Sequence, residues 1–233
     1  ILSGPAASAV GAWHLVQRNG VQPAQRDIWT VDVGGTTTDI AALRDGWPIL
    51  NAKGARVAGW RTMIEAVDVH TTGLGGDSHV RLDREARLVI GPRRAVPLSL
   101  LASEHPAVIS ELRIRVATPR THRDEEIADF IVPGRQPGSR LAEAESEILA
   151  QLAHGPRSVA QVAGQARIGA LARRRIEELE RRGLVRRAGF TPTDALHALG
   201  ELSLWNVEAA RLGAQILAAQ RRCTVEDLCR EVV

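Results

Sequence analysis

The sequence predicts an α/β protein carrying a small inserted helical unit. Three observations point there. Ala6, Ala9, Val10, Trp13 and Val16 recur at three- and four-residue spacing, the period of one helix face. Ile28-Trp29-Thr30-Val31 and Ile40-Ala41-Ala42-Leu43 are short apolar runs separated by a glycine-threonine turn, the pattern of strand, turn and strand. Strands mixed with helices and glycine-rich turns then continue to about residue 100, which suits an α/β layer.

The elements follow in order. The first helix, within 1–20, has Ser3 as N-cap, Pro5 in its first turn and Gly20 as C-cap. Strand 28–33 pairs with 39–43, Asp45-Gly46 turns the chain, and Pro48-Ile49-Leu50 begins the next strand. Met63-Ile64-Glu65-Ala66-Val67 reads as a short helix or a strand entry, and Val67–Thr72 alternates into a glycine loop at 73–76. His79–Asp83 and Arg87–Ile90 read as a hairpin ending at Gly91-Pro92. Glu111–Val116 alternates strictly, which predicts a strand with one solvated face.

Pro133-Gly134-Arg135-Gln136-Pro137-Gly138-Ser139 is rich in breakers and marks a boundary, dividing the chain into 1–138, 139–190 and 191–233. In the middle segment Leu141, Ile148, Leu149 and Leu152 form one helix stripe. Ser158-x-x-Gln161 fits a capping box ahead of Val159, Val162 and Ala163. Ile168, Leu171, Ile176 and Leu179 form another stripe before Gly183, and Leu184–Phe190 reads as a β turn-back. Three helices and a hairpin is the winged-helix order, and Arg174–Val185 resembles a third winged-helix helix running into its wing. Past residue 191, Leu204, Val207, Ala210, Leu212, Ile216 and Leu217 give a helix that covers the sheet. Thr224-Val225-Glu226-Asp227 is the capped start of another.

Composition narrows the function classes. The 233 residues, 44% hydrophobic and 24% charged, suffice to bury a core. The net charge of +3 does not by itself point to nucleic acid. Arg167, Arg173, Arg174, Arg175, Arg181, Arg182, Arg186 and Arg187 outnumber Glu177, Glu178 and Glu180. Yet Arg173–Arg175 are adjacent and spread around their helix, so a solvated or protein-facing surface is expected there, not a nucleic-acid partner. Cys223 and Cys229 fit neither a disulfide framework nor a Cys-x-x-Cys site, and a reducing, cytoplasmic setting is expected. No apolar run is long enough to span a membrane, and no signal peptide is evident.

Asp32-Val-Gly-Gly-Thr-Thr-Thr-Asp39 is the stretch richest in chemistry. Gly34 and Gly35 allow backbone N–H groups to approach an anion, and Thr36, Thr37 and Thr38 add hydroxyls for the β- and γ-phosphates of a nucleotide. Asp32 is suited to hold Mg²⁺ through water, and Asp39 to cap the turn or orient an attacking water. The bland alternative is an Asx-stabilised hairpin. A second candidate centre combines Asp68 and His70, two apart on a strand, with Asp194 and His197, three apart at a helix start. Such a set can hold a divalent metal beside a substrate carbonyl. Alternatively, His70 and His197 are satisfied core or surface histidines and Asp194 is a helix N-cap; for His197 this is the expected reading.

The hairpin resembles the phosphate hairpin of the actin/Hsp70/sugar-kinase ATPases. Ser3-Gly4-Pro5-Ala6-Ala7-Ser8-Ala9-Val10-Gly11-Ala12, Val67–Ser78, Gly91-Pro92 and Pro192-Thr193-Asp194-Ala195 with Leu199-Gly200 are similar, in order, to segments of the hydantoinase/oxoprolinase A-type subunits. The resemblance implies an actin-like, ribonuclease H-like half-domain interrupted by the winged-helix-like unit. It implies ATP and Mg²⁺ as cofactors, with Gly75 and Gly76 added to the nucleotide loop. It brings the 68–78 and 192–200 segments together, making Asp68 a catalytic candidate and Asp68, His70 and Asp194 a possible second-metal set. The implied reaction phosphorylates an amide or ketone oxygen for ring opening or carboxylation, with a cyclic amide or related carbonyl as substrate and a possible partner subunit. A nucleotide-binding scaffold of the same fold and, third, a DNA-binding regulator are the alternatives. Asp77-Ser78-His79 and Arg93–Pro97 depart from the family pattern, either adding metal ligands at Asp77 and His79 or marking a lost activity. The chain opens at Ile1 and shows one of the two hairpins such ATPases need, so a partial module is expected.

Overall fold

Alternating apolar residues punctuated by tight turns make antiparallel strands the cheapest structure for residues 27–51. In the computed structural model Asp27–Val33 (β1) pairs with Thr38–Arg44 (β2) along its whole length, Val33 opposite Thr38 and Asp32 opposite Asp39. The residues described are 3–20, 27–54, 56–57, 60–61, 66–118, 126–138, 141–165 and 171–233. Met63, Ile64, Glu65, Ser139, Arg167 and Ile168, used in the sequence reading, lie outside them. The chain divides into two units, Ile1–Gly75 and Gly76–Val233.

In the first unit, Ser3–Arg18 (α1) precedes β1 and β2. Asp45 and Gly46, both at positive φ (50° and 84°), form the two-residue turn into Trp47–Pro48 (β3). Positive φ at both central positions matches the right-handed strand twist. Leu50–Asn51 (β4) pairs with Ala66–Val67 (β7), enclosing the short ladder of Arg56–Val57 (β5) with Trp60–Arg61 (β6). Val69–Thr72 (β8) returns to β2, so β2 is flanked by β1 on one side and by β3 and β8 on the other. The core here is small: Ala9 of α1 against Ala41 and Leu43 of β2, with Trp13 and Val69 around them.

The second unit opens with a hairpin of Ser78–Leu82 (β9) and Leu88–Arg94 (β10). Asp83 organises its turn, accepting from the N–H groups of Glu85 and Arg87 at 3.0 and 2.8 Å. Val96–Pro97 (β11), Leu98–Glu104 (α2), Ala107–Ala117 (α3) and Phe130–Pro133 (β12) follow. Glu143–Gln151 (α4), Arg157–Ser158 (β13), Val159–Gln165 (α5), Ala172–Arg181 (α6) and Val185–Gly189 (β14) come next. Pro192–Leu199 (α7), Val207–Arg221 (α8) and Val225–Val232 (α9) end the chain. A mixed sheet runs β11-β14-β12-β13, with β11 parallel to β14 and the other pairs antiparallel.

Helices cover both faces of this sheet, and the period-2 alternation of β12 sorts them. Phe130 and Val132 enter a core with Leu98, Leu112, Phe190, Leu217 and Leu228, under α2, α3, α7, α8 and α9. Ile131 points the other way, into a core with Ile148, Leu152, Val162, Ile176 and Leu179, under α4, α5 and α6.

Three readings are corrected here. Residues 111–116 are not a strand but part of α3. Val108 and Leu112, four apart, are its buried positions, and Glu111 pairs with Arg115 one turn on at 2.9 Å. Residues 184–190 do not turn back as a wing. They supply the single strand β14, whose partners β11 and β12 come from far upstream. Residues 133–135 of the breaker-rich stretch are not a free linker either. Gly134 and Arg135 donate to the carbonyls of Leu184 and Gly183, both at 2.9 Å, and a Cβ on Gly134 would collide with that backbone. The capping box at Ser158 and Gln161 is formed in both directions.

Candidate phosphate-binding hairpin

The β1–β2 turn places the Asp32–Asp39 residues on an accessible tip. Gly34 N–H donates to Thr37 O at 2.9 Å, leaving Gly35 and Thr36 as the two-residue apex. Gly34 therefore closes the hairpin instead of offering its N–H to a ligand. Asp32, Gly34, Gly35 and Thr36 are exposed; Thr37, Thr38 and Asp39 are half-buried. The Thr38 hydroxyl is likewise taken, donating to Leu74 O at 2.8 Å and pinning the glycine loop.

That loop is pressed against the apex. A Cβ on Gly75 would come within 2.5 Å of Gly34 O and 2.7–2.8 Å of the Gly35 carbonyl, so only glycine fits. Asp32 and Asp39 are directly opposed in the ladder, which places two carboxylates on one face. Like charges so placed repel. Hydroxyl donors relieve part of this: Ser8 of α1 donates to Asp32 Oδ2 at 2.8 Å, and Thr71 of β8 to Asp39 Oδ1 at 2.5 Å. Neither donor carries positive charge. One exposed and one half-buried carboxylate beside this turn are donors of the kind Mg²⁺ takes, which uses one or two carboxylates with phosphate oxygens and water.

Asp68 and His70 are exposed while Val69 between them packs inward, so the pair shares one face as its spacing requires. Asp68 Oδ1 accepts from Asn51 Nδ2 at 3.3 Å. Gly76, assigned with Gly75 to the nucleotide loop, belongs to the second unit. There its carbonyl accepts from Thr193 N at 3.1 Å and Thr193 Oγ1 at 2.8 Å.

Asp194 has a different task from the one its spacing suggested. It is fully buried. Its Oδ1 accepts from Ser99 N at 2.8 Å, and its Oδ2 from Leu98 N at 2.9 Å and from Thr191 N and Oγ1 at 3.1 Å. One carboxylate thus caps α2 and α7 together. Burial pushes its pKa up against the pull of those donors. With both oxygens so engaged, it does not fit a metal. His197 is buried, stacked on Trp205, and held at both nitrogens: Nδ1 donates to Thr193 O at 2.8 Å and Nε2 accepts from Trp205 N at 3.1 Å. Among the described residues no group of three or more His, Cys, Asp and Glu side chains is placed to hold a metal ion.

The departures at 77–79 are absorbed into the second unit. Asp77 pairs with Arg94 at 2.8 Å, and His79 is buried against Asp129 at 2.9 Å. Asp129 also meets Arg187 at 2.7 Å, and Arg187 reaches Glu126 and Glu180. This buried ion network escaped sequence reasoning. Its local signals are an acid between Ala128 and Phe130 and an arginine before Ala188. Of the arginines weighed for nucleic acid, Arg173, Arg174, Arg175 and Arg182 each pair with a glutamate. No helix among the described residues is long and apolar enough to cross a membrane.

Comparison with known proteins follows the same lines. Caprolactamase subunit alpha of Pseudomonas jessenii is 33% identical over 95 residues, 41% of this chain and 13% of that protein. The matched stretch is thus a small part of that relative's length. The nucleotide-free structure of acetone carboxylase, from a study of ATP-dependent acetone carboxylation, aligns with 100% of this chain and 22% of its own. Its TM-score of 0.48 and 16% identity are too low to argue from. The model of the hydantoinase/oxoprolinase family matches residues 1–211. By the extent of that match, the chain belongs to the hydantoinase/oxoprolinase family.

Proposed function

We propose that this chain supplies a nucleotide-phosphate hairpin to an ATP-dependent enzyme acting on a cyclic amide or related carbonyl substrate, working with a partner subunit. The observation that carries the reading is the apex itself: Gly35 and Thr36 exposed, Gly75 packed beneath them, and two carboxylates facing each other at the base. Family membership supports it, as does a relative whose name denotes one subunit of a caprolactam-acting enzyme.

In this reading Gly35 and Thr36 N–H and the Thr36 and Thr37 hydroxyls receive the β- and γ-phosphates. Asp32 holds Mg²⁺ through water, steadied by Ser8. Asp39, fixed by Thr71, orients the acceptor oxygen or a water. ATP with Mg²⁺ would supply a phosphoryl group that turns an amide or ketone oxygen into a better leaving group. Positioning and charge neutralisation are then most of what the protein must provide. Asp68, exposed immediately before β8, remains a candidate for the substrate side.

The test is substrate-dependent phosphate release by the complete protein with its partner. Thr36→Ala together with Asp39→Ala should abolish release while leaving the melting temperature within about 2 °C, because turn hydroxyls carry little packing. Release unchanged within error would refute the assignment. Nucleotide binding with no release on any cyclic amide or ketone would favour a nucleotide-binding scaffold instead.

A further inference from the structure

Asp32, Asp39 and Thr71 form one row across the first unit's sheet. Asp32 stands opposite Asp39 in the β1–β2 ladder, and Asp39 opposite Thr71 in the β2–β8 ladder. Directly opposed residues project from the same face, with Cβ atoms about 4.5–5.5 Å apart. The row lies next to the Val33–Thr38 pair that borders the turn. Thr71 is exposed, and its hydroxyl donates to Asp39 Oδ1 at 2.5 Å, the length of a charge-assisted O–H···O⁻ bond. Relief of the opposed carboxylates is one consequence. The other is that Thr71 Oγ1 is a nucleophile with a general base already on its proton, the arrangement that activates a hydroxyl.

The neighbouring hydroxyls are placed differently. Thr38 Oγ1 donates to a backbone carbonyl, Leu74 O, which cannot act as the base. Ser8 donates to Asp32 Oδ2, but Asp32 is the carboxylate assigned to Mg²⁺, and a bound cation weakens a carboxylate as a base. Thr36 and Thr37 lie in the turn itself, where the proposed function uses them to receive phosphate.

We infer that Thr71 is a self-phosphorylation site, modified by the ATP held at the hairpin. In this step Asp39 takes the Thr71 proton and Thr71 Oγ1 forms a bond to the γ-phosphorus. The bond from that phosphorus to the β–γ bridging oxygen breaks, and its electron pair leaves with ADP. The products are phosphothreonine, ADP and a proton that Asp39 returns to solvent. The inference rests on the proposed nucleotide hairpin and adds a regulation to it. A phosphate carries about −1.5 to −2 charge, set here beside Asp39 and Asp32. The modified hairpin therefore repels a further nucleotide, and the reaction switches its own site off.

The experiment incubates the complete protein with Mg²⁺ and ATP, without carbonyl substrate, and locates phosphate by peptide mass spectrometry. Calorimetry measures the affinity for a non-hydrolysable ATP analogue before and after. One phosphoryl group on Thr71 is expected, at a rate per chain independent of protein concentration, since donor and acceptor share a chain. Thr71→Ser should retain the modification, Thr71→Val should remove it, and Asp39→Asn should slow it about 10²-fold or more. The phosphorylated protein should bind the analogue about tenfold more weakly or worse. The inference is overturned by analogue binding with Thr71 unmodified, by phosphate on Ser8 or another residue instead, by a rate indifferent to Asp39→Asn, or by unchanged affinity after phosphorylation. The hairpin reading survives each of these. No binding of the analogue removes the hairpin reading itself, and this inference with it.

Discussion

Gly75→Ala isolates the hairpin apex better than any change in the apex itself. The added Cβ would sit 2.5 Å from Gly34 O and 2.7–2.8 Å from the Gly35 carbonyl, where ordinary contact begins near 3.4 Å. The apex or the loop must therefore move by about 1 Å, and what it meets is backbone, which cannot swing aside as a side-chain end could. Overpacking of this kind costs about 1–3 kcal/mol. A 1 Å misplacement of positioning groups costs roughly 10²-fold in rate. Substrate-dependent phosphate release should thus fall by about two orders of magnitude, with a melting temperature lowered by a few degrees. Gly11→Ala in α1 is the control. Nothing lies within 4 Å of its added Cβ, so helix propensity alone predicts a gain of about 0.5–1 kcal/mol and unchanged turnover. Wild-type release by Gly75→Ala would refute the view that the glycine loop sets the apex.

Three further outcomes follow from the second unit. Asp194→Ala strands the buried donors of Leu98, Ser99 and Thr191 and should destabilise by about 4 kcal/mol without altering bound metal; metal loss at unchanged stability would mean the double cap is not its role. Burial alone would raise the Asp129 pKa, but His79 and Arg187 hold it below the ordinary carboxylate value. Its contribution is therefore present above about pH 4 and lost as pH falls through the lower folded value, so denaturation measured from pH 5 to 2 should steepen there, and Arg187→Met should cost about 3–5 kcal/mol at neutral pH and flatten that acid limb. Burial, with Asp194 and Cys223 nearby, pushes the Cys229 thiol up to about 11, so iodoacetamide at pH 8 should label the half-buried Cys223 and spare Cys229 until the protein unfolds.

What the sequence revealed was what it encodes locally. β1 and β2, the Asp45-Gly46 turn, the Ser158 capping box and the N-cap at Thr224 all rest on residues within a few positions of each other. The misread elements depend on partners far away. Six alternating residues at 111–116 matched a strand, and only a window reaching back to Val108 exposes the four-residue spacing of a helix. α2 begins where it does because Asp194, 95 residues later, caps it. β14 looked like half of a local hairpin, since nothing near it announces that 96–97 and 130–133 are its neighbours.

The site divides in the same way. The hairpin and the glycines at its turn were legible because a strand-turn-strand pattern has short, residue-specific requirements. Which of its donors remain for a ligand was not legible. That depends on Gly34 closing the turn and on Thr38 holding Leu74, contacts seen only once the chain is folded. Asp194 illustrates the opposite ambiguity. Helix capping and metal binding both ask for an aspartate at a helix start, and the choice is made by α2, which no local pattern links to it.

The central claim is that the hairpin apex grips nucleotide phosphate. A crystal structure of the complete protein with Mg²⁺ and a non-hydrolysable ATP analogue tests it most directly. The account predicts β- or γ-phosphate oxygens about 2.7–3.2 Å from the backbone N–H groups of Gly35 and Thr36, with the cation on the Asp32 side of the turn. Phosphates bound elsewhere, with the Asp32–Asp39 apex untouched, would contradict it.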